Sequence, residues 1–290
     1  MLVTVFTPVY NRAYIITRLY ESLCRQTCKD FEWIVVDDGS TDNIDELMHK
    51  FIEEKKIKIR YFKQPNGGKH RAINHGVREA HGEMFFIVDS DDYIPDDAIE
   101  FITVHSAEIY QEPAFAGISG IDRTIDGRVL SNLGTDKYID STSSDLRFVH
   151  GITGDLSEVF KTETLKIFSF PEINNENFSP EALVWNRIAN KGLILRYYPK
   201  VLKIIEYLPD GLTSAIVKIR MNSPVASTVY YSELSRMDIP FIQKIKAAVN
   251  YWRFWFCHSK INKPQIGLQW FWTLPLGFAM HLKDCYKVNK

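Results

Sequence analysis

The first 110 residues alternate between short runs rich in apolar residues and longer stretches that are apolar on one face. Strands are expected at 2–6, 31–36, 57–62 and 84–88, and the unbroken apolar run 84–88, bounded by polar residues, suits a strand covered on both sides. Between them, residues 14–26, 43–54 and 69–80 carry helical periodicity. Ser40-Thr41-Asp42 supplies a start signal for the second, and Gly82 follows the third. A further helix is expected at 96–110, with Pro95 suited to its first turn. Strands alternating with helices predict an α/β fold, a Rossmann-like, mostly parallel sheet with helices on both faces.

Residues 111–215 are less regular. Strands are expected at 114–121 and 194–198 and a helix at 180–189, while the Gly-, Asp-, Thr- and Ser-rich stretch 122–144 reads as a long mobile loop. Neither a repeat nor a low-complexity tract is present. Residues 216–290 read as a helical C-terminal appendage. The 290-residue length suits one large core, or one core with such an appendage.

Charge separates the appendage from the rest. The formal net charge is −1, yet residues 241–290 hold Lys244, Lys246, Arg253, Lys260, Lys263, Lys283, Lys287 and Lys290 against one acid, Asp284. Trp252, Trp255, Trp270 and Trp272 fall in the same stretch. A basic, aromatic-rich segment with no long apolar span suits an anionic membrane interface, whereas helices packed on the protein with solvated lysines are the plainer alternative. No secretory signal is visible, and Cys24, Cys28, Cys257 and Cys285 form no zinc pattern. A cytoplasmic protein is expected, peripheral on the cytoplasmic membrane face if the tail binds lipid, with no nucleic-acid partner.

Candidate chemistry lies where the predicted strands end, the edge at which open parallel sheets bind ligands. Thr7-Pro8-Val9-Tyr10-Asn11-Arg12 follows the first run, Asp37-Asp38-Gly39-Ser40-Thr41-Asp42 the second, and Asp89-Ser90-Asp91-Asp92 the fourth. Clustered carboxylates repel one another unless a cation sits between them. Mg2+ or Mn2+ shared by one or two carboxylates and a substrate diphosphate would meet that need. Asn66-Gly67-Gly68-Lys69-His70-Arg71 adds a glycine loop running into a helix start, where backbone N–H groups suit a diphosphate. It is not a P-loop.

These segments, "TPVYNR", "FEWIVVDDGSTD", "NGGKHRAINHG" and "FFIVDSDDYIPDD", resemble the family 2 glycosyltransferases in order and spacing over residues 1–110. The resemblance extends more loosely through "GDLSEVF" and "FSPEALVWNRI" to about residue 215. It implies a GT-A fold with a nucleotide-sugar-binding half at 1–110, an acceptor half at 111–215 and the tail at 216–290. It also implies a nucleotide-sugar donor, most commonly a UDP-sugar, and transfer with inversion. A glycan or lipid-linked oligosaccharide in surface polysaccharide synthesis is the implied acceptor. Thr7, Pro8 and Tyr10 would line the nucleotide pocket, with Asp38 accepting a hydrogen bond from the base. Lys69 lies near the family's cation for the diphosphate. Asp89, Ser90 and Asp91 form the Asp-x-Asp motif, whose Asp89 and Asp91 would hold Mn2+ or Mg2+ against the diphosphate. Glu181 stands where the family places its general base, although Asp is commoner there, and Asp155 is the second candidate. A haloacid-dehalogenase-like phosphatase, a sugar nucleotidyltransferase and a non-catalytic membrane-associated scaffold are the competing readings. The first wants its Asp-x-Asp after the first strand, the second a Gly-rich N-terminal loop with Arg, and the third leaves the intact acids unexplained.

Overall fold

The four apolar runs become strands Val3–Val9 (β1), Phe31–Asp37 (β2), Ile59–Lys63 (β3) and Met84–Ile87 (β4) in the computed structural model, which describes residues 1–206, 215–258 and 265–288. Helices Thr17–Cys24 (α1), Ile44–Glu53 (α2), Lys69–Glu79 (α3) and Ala98–Ile109 (α4) alternate with them. All seven residues of β2 are buried, as its apolar stretch Trp33–Val36 leads one to expect, and its Glu32 is buried with the Thr4 hydroxyl bonded to it. The core joins Trp33 of β2 to Leu19 and Tyr20 of α1 and to Met48 and Phe51 of α2. The Tyr20 and Phe51 rings stack 3.9 Å apart.

Thr7 and Pro8 belong to β1 itself, a correction to their expected place beyond the strand. Pairing of β1 with β4 ends at Phe6 and Ile87, so the N–H that Pro8 lacks is not needed on that side.

The rest of the sheet comes from Phe115–Thr124 (β5), Ile139–Ser141 (β6), Leu156–Lys161 (β7) and Ile194–Ile205 (β8). Ser143–Phe148 (α5), Thr162–Ile167 (α6) and Glu181–Asn190 (α7) lie between them in sequence. The eight strands run in the order β3-β2-β1-β4-β7-β5-β8-β6. Pairing is parallel from β3 to β4 and between β5 and β8, whereas β7 runs against both β4 and β5 and β6 runs against β8.

Two expectations for this half change. Strand β8 continues seven residues past the expected end at 198, because the ladder with β5 steps over Pro199 by a register shift between the Ser119–Tyr197 and Ile121–Val201 pairs. The stretch 122–144 is no continuous loop. Strand β5 reaches Thr124, Arg123 bridges Val129, and α5 starts on Thr142, whose hydroxyl accepts the Asp145 N–H.

The chain divides into two compact units, Met1–Ser169 with Arg187–Glu206, and Phe170–Asn186 with Tyr207–Lys290. The whole sheet belongs to the first. The second contains Ile216–Asn222 (α8), Pro224–Leu234 (α9), Phe241–Trp255 (α10), a 3-10 turn at Leu268–Thr273 and Leu274–Val288 (α11). Glu176 is buried and accepts the Val225 and Ala226 N–H groups at the start of α9, where helix polarity favours a carboxylate. Trp252 and Trp270 are 1% and 4% exposed and form the core of this unit with Ala248, Tyr251 and Ile266. This corrects their expected insertion into a membrane, since apolar burial inside the unit already accounts for them. Lys260, Lys263 and Lys290 lie outside the described residues. Among the described residues, no helix is long and apolar enough to cross a membrane.

Candidate active site

Parallel pairing determines where the acidic segments meet. Val9 pairs with Asp37 and Phe6 with Ile87, so β1, β2 and β4 finish at one edge of the sheet. There Asp37 is structural. Its carboxylate accepts the Ser40 N–H at 2.8 Å and the Tyr61 hydroxyl at 3.2 Å, shaping the turn through Gly39. That glycine has φ +81°, and an added Cβ would lie 2.7 Å from the Asn66 nitrogen.

Asp38 is only 4% exposed and holds the glycine loop. Its Oδ1 accepts Gln64 Nε2 at 2.7 Å and the Gly67 N–H at 2.9 Å, and its Oδ2 accepts the Gly68 N–H at 2.7 Å. The two glycine amides expected to face a diphosphate are therefore bonded to Asp38. A carboxylate oxygen can accept two bonds, so Oδ2 retains capacity for one more donor, such as a base N–H. Asp38→Ala should leave the buried Gly67 amide and the half-buried Gly68 amide without their acceptor. It should weaken nucleoside-diphosphate binding by about 1.5–3 kcal/mol and lower the melting temperature as well, measured by calorimetric titration and thermal unfolding. Loss of affinity without loss of stability would assign Asp38 to the base alone.

The Thr7 side chain turns inward. Its hydroxyl accepts Trp33 Nε1 at 2.9 Å in the core, which takes this side chain away from the expected nucleotide pocket. Pro8 is half-buried, and Tyr10, directly after β1, is half exposed.

Asp89 leaves β4 and meets Lys69, the first residue of α3. The ammonium lies 2.7 Å from Oδ1 and 2.8 Å from Oδ2. Burial pushes the Asp89 carboxyl up, but Lys69 and Lys203 outweigh it and hold the group below its usual range. Asp91 lacks such compensation, so burial and the Asp89 charge raise its pKa. Its carbonyl accepts Arg18 Nη2 at 2.9 Å, while Arg18 Nη1 pairs with Glu206 at 2.6 Å. Ser90 is buried between the two acids.

Asp92, the third acid of its cluster, completes this edge with Lys203 and Asp122, which belong to no motif. Asp92 is 6% exposed, with its Oδ2 3.5 Å from Lys203, which also lies 3.6 Å from Asp122 Oδ2. Asp122 accepts the Ser157 hydroxyl through Oδ1. Burial and the neighbouring carboxylates push Asp92 up to about 7 against the pull of Lys203, and burial raises Asp122 too. A folded-state pKa above the unfolded one means the native protein binds the extra proton. Stability should therefore fall as pH rises from about 4 to 7 and then level off. Thermal unfolding of Asp92→Asn across this range should show a flatter profile, with its largest gain in melting temperature at pH 8.

Asp155 is exposed at the start of β7, and its charge reaches Asp122. The structure thus brings Asp38, Lys69, Asp89, Ser90, Asp91 and Asp155 to one edge within the first unit. Glu181 is the first residue of α7 and belongs to the second unit. The donor set fits a hard divalent cation: Asp89 and Asp91 supply carboxylate oxygens, and the Lys69 ammonium spans both oxygens of Asp89 as a stand-in for positive charge. Among the described residues, no group of three or more His, Cys, Asp or Glu is placed to hold a metal ion.

Residues 4–104 match the model of Glycosyl transferase family 2. An uncharacterized glycosyltransferase of Haemophilus influenzae is 28% identical over 185 residues, covering 61% of this chain and 69% of that protein. Other curated relatives match over 90 to 100 residues, which is 13% to 33% of their length. The crystal structure of S. aureus TarS 1-349 in complex with UDP-GlcNAc superposes with a TM-score of 0.66 at 20% identity, covering 98% of this chain and 81% of that one. The mannosyltransferase PcManGT from Pyrobaculum calidifontis, in complex with GDP-Man and Mn2+, gives 0.56 at 19% identity, covering 98% and 75%. The fold is GT-A. Over residues 4–104 the chain is similar to glycosyl transferase family 2, and it spans a third or less of the length of most curated relatives it matches.

Proposed function

We propose that the chain is an inverting, metal-dependent glycosyltransferase that moves a sugar from a nucleotide-sugar donor, a UDP-sugar in this reading, to a glycan or lipid-linked oligosaccharide in surface polysaccharide synthesis. The carrying observation is the Asp89-Ser90-Asp91 turn, held against Lys69 beside the ends of β1 and β2. The similar TarS and PcManGT structures contain UDP-GlcNAc, and GDP-Man with Mn2+, which supports a nucleotide-sugar donor and a divalent ion here. Phosphatase and scaffold readings find no comparable support.

In this reading Asp38 organises the base end of the donor and Tyr10 lines it. Asp89 and Asp91 would hold Mn2+ or Mg2+, whose positive charge would stabilise a diphosphate leaving group. Lys69 adds a fixed positive charge on the same side. Glu181 takes the proton of the acceptor hydroxyl as its oxygen bonds to the anomeric carbon, and the carbon–phosphate-oxygen bond breaks on the opposite face. Asp155 shapes the acceptor side. The enzyme works at the cytoplasmic membrane face, touching anionic lipid through residues 241–290.

Incubation with a panel of nucleotide sugars tests the reading. Release of nucleoside diphosphate should vanish with EDTA and return with Mn2+ or Mg2+. Full turnover in EDTA-treated enzyme would remove the metal assignment.

A further inference from the structure

Helix α11 is built inside out. Trp272, just ahead of it, and Leu276, Phe278, Leu282 and Tyr286 along it are between 42% and 64% exposed. The side packed on α10 instead carries Gly277 and Asp284. A Cβ added at Gly277 would lie 2.4 Å from Trp252 Cβ, and Asp284 is buried with both oxygens on Arg253. At 3.6 residues per turn, positions 278, 282 and 286 fall on one face, with 272 and 276 beside it. A helix of a water-soluble unit turns its apolar face to the core, whereas this one turns it outward.

Charge identifies what covers the face. Lys283 and Lys287 are exposed on the same helix, and the neighbouring acid, Asp284, is neutralised by Arg253. A second copy of this face would bring lysine against lysine. An anionic bilayer surface offers both phosphate for the lysines and an apolar boundary for the rings. The helix has 15 residues, too few to span the apolar layer.

We propose that α11 lies in the plane of an anionic membrane, with Trp272, Leu276, Phe278, Leu282 and Tyr286 at the boundary between headgroups and acyl chains and with Lys283 and Lys287 on lipid phosphates. This deepens the membrane contact proposed above by assigning its face, and it does not depend on transferase activity.

Sedimentation of the full chain with vesicles of equal parts phosphatidylglycerol and phosphatidylcholine tests the assignment. Binding should exceed that to pure phosphatidylcholine at least tenfold and weaken with added salt. Leu276→Ser combined with Leu282→Ser, and separately Lys283→Glu combined with Lys287→Glu, should each lower the bound fraction about tenfold. Because these side chains are exposed, melting temperature and nucleoside-diphosphate binding should stay unchanged. A shift in tryptophan emission on vesicle addition should be lost in Trp272→Phe. Protein that stays in the supernatant with anionic vesicles overturns the proposal. So does equal binding to both vesicle types, or a dimer that Leu276→Ser dissociates.

Discussion

Asp91→Asn is expected to lower kcat/KM for sugar transfer by about three orders of magnitude, roughly the several kcal/mol that a diphosphate-bound cation contributes to charge stabilisation. The fold should persist. Burial and the Asp89 charge already disfavour the ionised Asp91 side chain, so a neutral amide should leave the melting temperature unchanged or raise it. Asp89→Asn should behave differently, because Asp89 is held ionised by Lys69 at 2.7 and 2.8 Å, and the change removes that pair. Activity and stability should both fall. Steady-state kinetics beside thermal unfolding separate the two variants. Equal loss of stability in both would mean that Asp91 maintains the turn and does not bind the metal.

Glu181→Gln carries the second large effect. A general base contributes about 10²–10⁴-fold, so kcat should fall by that amount while the affinity for nucleoside diphosphate stays constant. Asp155→Asn should reduce kcat less. If Asp155→Asn is the more damaging variant, the base is Asp155, which the structure places within the first unit beside Asp122. Both variants change charge without removing volume, so changes in packing contribute little to the comparison.

Strands β1, β2 and β4 were legible in the sequence because they are almost wholly buried and rich in apolar residues, with the acids Asp37 and Asp89 at or just past their ends. What the pattern could not show was direction. Thr7 and Tyr10 lie three positions apart in one motif, yet Thr7 faces Trp33 and Tyr10 faces outward. Asp38 reads as a ligand residue, and only the path of the chain shows three donors converging on it. Lys203 and Asp122 have no motif because their meeting depends on the β5–β8 register across Pro199. Asp92 was visible as the third acid of its cluster, though not its burial. The tail aromatics were ambiguous for a related reason. Composition is the same for a core tryptophan and a surface one, and helical position alone separates Trp252 from Trp272.

Strand β7 runs against both its neighbours, so its first residues lie at the edge where β4 and β5 end. The chain leaves that edge after Thr124 and returns to it at Asp155, and the excursion is tied at its base. The Ser131 hydroxyl contacts the carbonyls of Thr153 and Asp155, and Arg147 reaches the Gly154 carbonyl. The excursion also carries β6 on the outer edge of the sheet and the buried Leu133 and Leu146, so change is tolerated best in the exposed turn ahead of β6. Under the proposed function, replacing residues 134–137 with a relative's turn should shift acceptor choice while donor binding and melting temperature stay unchanged.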